Sequence, residues 1–209
     1  SDLTILGANG AWIAEWDLPD GCIPRQVVLD ASEQFALTYC SGTNTVELDS
    51  LGVWPPATVA TLDLGFDPTP EPIQRGRRLF FDASQSLRNN LSCATCHDEG
   101  RQDLVAWNLS NGEIDDKGPM VTQTLVGIDR SRHHHWRGEQ LDDLLDFNDA
   151  FPALLGGSPL ATGPGSDFED FEAFVFSLQH PANPFQNPLR ILDDSIEPPL
   201  LLPARQQTN

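Results

Sequence analysis

Leu91-Ser-Cys-Ala-Thr-Cys-His-Asp98 is the stretch on which the reading of this chain turns. Cys93 and Cys96 stand three residues apart, about one helical turn, so both thiols project from one side of a short helix. His97 follows directly. Two thiols at that spacing reach the two vinyl groups of one porphyrin, and the adjoining imidazole falls beneath the iron. Half of a zinc site would call for more thiols nearby, and a redox Cys-x-x-Cys pair would call for a βαβ setting. Neither accompanies the motif. The expectation is covalently attached haem c with His97 as an axial iron ligand. The motif occurs once, so one haem is expected.

A second axial ligand is usually Met or His. Met120 is the only methionine and sits in Asp116-Lys-Gly-Pro-Met-Val-Thr-Gln-Thr-Leu125. A lone Met is ordinarily a core filler, but Gly118 and Pro119 suggest a turn that presents its side chain. His133, His134 and His135 compete for the same role beside Trp136 and Arg137, and an open or water-ligated iron is the third possibility. Phe80, Phe81, Trp107 and Trp136 are candidates for the apolar wall around the cofactor, with Arg137 a further contact. His180 reads more simply as a cap for the last carbonyls of a helix.

Two textures divide the chain. From Ser1 to about Gly65, short β-type runs alternate with turn residues: Gln26-Val-Val-Leu-Asp30, Phe35-Ala-Leu-Thr-Tyr-Cys40, Thr45-Val-Glu-Leu-Asp49 and Val59-Ala-Thr-Leu-Asp-Leu64. The Pro-rich joint Phe66-Asp-Pro-Thr-Pro-Glu-Pro72 ends them. Thr69 is a candidate cap with Pro70 at the first helical position, ahead of a helix through Phe81. Residues 140–151 repeat apolar side chains at intervals of three and four. Ser166-Asp-Phe-Glu169 has the form of a capping box, followed by Phe168, Phe171, Phe174 and Val175 on one helical face. From Pro181 the chain is rich in Pro and Asn and reads as an extended tail. The fold class expected is α+β: residues 1–66 as a small antiparallel sheet, then residues 67–209 as a mainly helical haem domain.

The 209 residues are 39% hydrophobic, with 31 acidic against 12 basic side chains and a formal charge of −19. No apolar run approaches the roughly 18–20 residues of a membrane span. So acidic a chain repels nucleic acid and anionic lipid, and it would steer a basic redox partner towards itself. Solubility alone also accounts for acidity of this kind. Ser1 opens without a signal-peptide pattern, so an export signal is expected to have been removed. Cys22 and Cys40 lack His or Cys neighbours at metal-site spacing, and a disulfide between them is the natural reading in an oxidising compartment. Covalent haem attachment is normally completed outside the cytoplasmic membrane. Both features point to the periplasm or beyond.

Four segments in order carry a resemblance: Gly76-Arg-Arg-Leu-Phe-Phe-Asp-Ala83, Leu91 to Asp98, Gly118-Pro-Met-Val-Thr-Gln-Thr-Leu125, and His135-Trp-Arg-Gly138. Together they resemble a haem domain of the bacterial di-haem cytochrome c peroxidase and MauG family, between Pro70 and Pro184. Thr43-Asn-Thr-Val-Glu-Leu-Asp49 is similar to the Ser-x-Thr-Val-x-Val-Asp strand of a YVTN-type propeller blade. The resemblance is closest to the branch in which the haem domain follows a propeller. A single blade leaves open edges, which implies further subunits or the rest of a propeller as partners. Three departures stand out. This chain has one haem motif where the peroxidases have two, Arg137 where they carry Asp, and Met120 near their Arg-Asn position. Peroxide chemistry also needs an open iron site and an acid/base group, for which Glu99 and Glu139 lie near the relevant segments. The function expected is therefore electron transfer. The alternatives are a peroxidase-like enzyme acting on hydrogen peroxide, or a haem-bearing subunit of a larger extracellular assembly.

Overall fold

Short runs rich in β-branched and aromatic residues, separated by turn residues, fill the first 63 residues and form antiparallel strands. The computed structural model describes residues 2–108, 118–130, 133–135 and 144–181. β1 (Asp2–Leu6) and β2 (Trp12–Asp17) pair as a hairpin. β3 (Pro24–Leu29), β4 (Phe35–Cys40), β5 (Thr45–Ser50) and β6 (Ala57–Asp63) form a four-stranded meander in that order. The four expected runs are thus all strands. Asp30 builds the β3–β4 turn, its carboxylate accepting from the backbone N–H groups of Ser32, Gln34 and Phe35. The Ser32 hydroxyl and these N–H groups hold its pKa down to about 2.

One face of the meander is buried and polar. Thr38, Glu47 and Asp49 are inaccessible to solvent. Thr45 and Thr61 donate to the two oxygens of Glu47, and Thr58 donates to Asp49 at 2.6 Å. The other face leaves Phe35, Leu37, Tyr39 and Leu62 exposed. The expected disulfide is present: Cys22 and Cys40 are bonded and pack with Leu18 and Leu3.

α1 (Glu71–Phe81) starts one residue later than the sequence suggests, with Pro70 as the N-cap and Pro72 in the first turn. The Gln74 side chain donates back to the Thr69 carbonyl just ahead of the helix. α1 crosses α4 (Asp167–Ser177), and Phe80, Phe171, Phe174 and Val175 fill the contact. Burying four such side chains contributes about 1.5–3 kcal/mol each. Gly76 permits the crossing, because a Cβ there would lie 1.9 Å from the Asp170 carbonyl oxygen. Ser166 caps α4 as expected, accepting from Glu169 N–H, whereas Glu169 reaches past it to Gly165 N–H.

Between these helices lie α2 (Cys93–Cys96), the two-stranded ribbon of β7 (Ala106–Trp107) and β8 (Met120–Val121), and α3 (Ala150–Leu155). The helix expected over residues 140–151 is instead a 3-10 turn at Leu144–Asp149 running into α3. Its first four residues lie outside the described part, as do Trp136, Arg137, Glu139 and the tail from 182 onward.

The sheet is tied to α1. Arg77 donates to the Ser41 carbonyl at 2.8 Å and Arg78 to the Gly42 carbonyl at 2.9 Å. Asp67 in the Pro-rich joint accepts from Thr69 N–H and pairs with Arg77. The described residues up to Leu178 form one unit. Among the described residues no helix is long and apolar enough to cross a membrane.

Candidate haem site

α2 is a single turn, which is all that two thiols three residues apart require. Ser92 N–H donates to the Thr95 hydroxyl, Thr95 N–H donates to the Ser92 carbonyl, and His97 N–H closes on the Cys93 carbonyl at 2.9 Å. Both cysteines are free thiols. Burial pushes the Cys93 pKa up to about 12, and burial with nearby Asp103 raises that of Cys96. Reactive redox cysteines have depressed values, so this pair lacks the electrostatics of a disulfide-exchange centre. Among the described residues no cluster of three His, Cys, Asp or Glu side chains is placed to hold a metal ion.

His97 Nδ1 lies 2.8 Å from the Gln123 carbonyl oxygen. A carbonyl only accepts, so Nδ1 carries the proton and Nε2 keeps its lone pair. Burial lowers the ring's pKa and favours the neutral form, the one that binds metals. Such a bond on the far nitrogen fixes the ring and raises its basicity towards a metal.

A cavity of about 1170 Å³ opens beside these groups, larger than the roughly 300–1,000 Å³ of ordinary small-molecule sites. Cys93, Cys96 and His97 line it, as do Trp107, Met120 and all three of His133, His134 and His135. Trp107 and Met120 are directly opposed across the β7–β8 ribbon, which gathers them at one wall. Trp107 Nε1–H donates to Asp103 at 2.7 Å, and Asp103 N–H donates to the Cys96 carbonyl, so the indole is anchored to the thiol turn. The Val105 N–H, followed by the Trp107 indole, keeps the Asp103 carboxyl below its ordinary range. Phe147, Phe151, Phe171 and Val175 supply an apolar wall. Two free thiols, a neutral imidazole with Nε2 available and a large apolar cavity fit a haem.

Two expectations need correction. Phe80 and Phe81 do not line this cavity. Phe80 is wholly buried against Phe174 and Phe171, because the face of α1 that carries it turns towards α4. Phe81 packs on Phe80 beneath the Arg25 guanidinium. Glu99, weighed as an acid/base group, also lies off the cavity and pairs with Arg25. The sequence reading missed Gln123, whose part is played by a backbone carbonyl, and Asp103, whose role depends on the ribbon.

The sequence profile described as di-haem cytochrome c peroxidase matches residues 70–190, more than half of the chain. The chain belongs to the di-haem cytochrome c peroxidase family. Its cofactor is haem, and the family match spans the cavity, α1 and α4. No curated protein matches the sequence. Among solved structures, hydrazine synthase of Kuenenia stuttgartiensis, pressurised with 20 bar xenon, aligns at 20% identity and a TM-score of 0.43. The alignment covers 61% of this chain and 42% of that one, so this chain spans less than half the length of that relative.

Proposed function

We propose that the chain is a c-type cytochrome that holds one haem covalently and transfers electrons outside the cytoplasm. The observation that carries this reading is that the free thiols of Cys93 and Cys96, the neutral His97 ring and the Met120 thioether line one cavity. A haem supplies a ferric/ferrous couple exchanging one electron. Cys93 and Cys96 would hold it through thioether bonds. His97 would offer Nε2 to the iron while the Gln123 carbonyl fixes the ring. Met120 would offer its sulfur as a further ligand, and a thioether there would raise the potential relative to a second histidine. Trp107 and the phenylalanine wall would give the group apolar surroundings.

The Cys22–Cys40 disulfide supports an oxidising compartment, periplasmic or extracellular. The formal charge of −19 suits a redox partner with a basic docking surface. The meander of β3 to β6, with its blade-like order and exposed outer strands, suits contact with further subunits or the rest of a propeller.

Peroxidase-like chemistry is the second reading. Family membership favours it, together with the presence of His134 and His135 on the cavity wall. There an imidazole can move a proton beside an open iron.

Visible and EPR spectra of the ferric protein, beside a Met120→Ala variant, separate these readings. Electron transfer with Met120 predicts a low-spin spectrum whose sulfur-to-iron charge-transfer band disappears in the variant. A low-spin spectrum unchanged by the substitution moves the ligand to His133, His134 or His135. A high-spin wild type that binds cyanide or peroxide readily replaces electron transfer with the peroxidase reading.

A further inference from the structure

We propose that Arg25, on β3 of the N-terminal sheet, is a positioning residue for His97: it holds the turn behind the imidazole, so the sheet helps set the orientation of the axial ring. This rests on the reading that His97 binds haem iron.

Arg25 and Glu99 are 74 residues apart in the chain and form an ion pair. The same guanidinium lies over the Phe81 ring, 4.8 Å from its centroid, at the end of α1. One side chain thus bridges the sheet, the first long helix and the segment that follows His97. Cation–aromatic contact and the planar guanidinium fork restrict where that bridge can sit. The sheet end of the bridge is fixed too, since Arg77 and Arg78 fasten the β4–β5 turn to α1 through the carbonyls of Ser41 and Gly42.

Glu99 belongs to the turn Asp98–Gly100 and takes φ 51, in the left-handed region that a residue with a side chain adopts at a cost. Gly100 N–H donates to the His97 carbonyl at 2.9 Å, and the Gly100 carbonyl accepts from Leu125 N–H at 2.8 Å. Leu125 lies two residues after Gln123, whose carbonyl holds His97 Nδ1. The turn therefore grips the histidine by its own backbone and by the acceptor of its ring. Displacing Glu99 moves both. The ion pair is part-exposed, so it adds little to stability; its consequence is geometric, and the variants that break it should fold.

Three variants of the full, haem-loaded chain test this: Arg25→Met, Glu99→Gln, and the charge-swapped double Arg25→Glu/Glu99→Arg. The readouts are the g-values of the ferric EPR spectrum, the midpoint potential and the melting temperature. Lost charge alone moves the potential in opposite directions in the two single variants. Lost positioning moves the g-values in the same direction in both, and the swap returns them towards wild type. That pattern is the expected result. Wild-type g-values in Arg25→Met, with or without a lower melting temperature, overturn the proposal, as do g-value shifts confined to Glu99→Gln. A pyridine haemochrome spectrum of the wild type is recorded first. If it lacks the c-type band, the parent reading falls and takes this proposal with it. A c-type spectrum with variants identical to wild type removes this proposal alone.

Discussion

Burial favours the uncharged form of His97, and in the protein before haem insertion that preference has a pH signature. An unfolded chain takes up a proton near the ordinary value of 6.5, whereas the folded ring resists it until lower pH. Stability is therefore present above 6.5 and lost as pH falls through the depressed folded pKa. Urea denaturation of the haem-free protein at about pH 7.5 and about pH 5.5 should show the loss, and His97→Gln should flatten it. Gly76 makes the second prediction at this scale. A methyl group there meets the Asp170 carbonyl at 1.9 Å and Phe174 Cβ at 2.8 Å, so Gly76→Ala must push α1 off α4. Overpacking of this kind costs about 1–3 kcal/mol, read as a lower urea midpoint with an unchanged slope. Single residues stand out in the sequence where chemistry fixes identity and spacing together, as in Cys93, Cys96 and His97, which line one cavity. Gln123 was not, because its contribution is a carbonyl that every residue type possesses. Phe80 misled for a related reason: proximity to the motif in sequence does not say which face of α1 a ring occupies.

Strands were legible as strands, since β-type runs set between turn residues mark them whichever face is buried. Which face that is did not follow. In β5 the carboxylates of Glu47 and Asp49 lie inside, with Thr45 and Thr61 donating to both oxygens of Glu47 and Thr58 to one oxygen of Asp49, while Val46 and Leu48 take the more open side. Hydrogen-bonding partners on a neighbouring strand decide that inversion, and they cannot be seen before the register is known. The hairpin of β1 and β2 carries a readable signal in Asn9-Gly10 at its turn. Residues 144–149 show the opposite limit: their spacing suits a helix, yet they wind as a 3-10 turn before α3. The disulfide acts at this scale by joining the segment before β3 to the end of β4 over a separation of 18 residues. Closing a loop of that size in the unfolded chain is worth about 3 kcal/mol. Replacing both Cys22 and Cys40 by Ala should lower stability by that amount in denaturant titration. Adding reductant to the unfolded wild type should reproduce the loss.

For the molecule as a whole, the formal charge of −19 governs encounters more than folding. Electron exchange with a basic protein partner should slow as ionic strength rises from about 10 to about 150 mM, where the screening length shrinks from roughly 30 to roughly 8 Å. Stopped-flow rates that ignore salt would remove steering from the proposed function. The same charge bears on the two outer strands of the meander. Every residue of β3 and of β6 is exposed, and among the described residues no further strand pairs with the outer rim of either. Sheets commonly guard such rims with lysine, and this chain has only Lys117. Mutual repulsion between copies works against rim meeting rim. Concentrated salt weakens that repulsion, and the chain's colloidal stability would be lost by strand-to-strand stacking of folded molecules, with the haem cavity still intact.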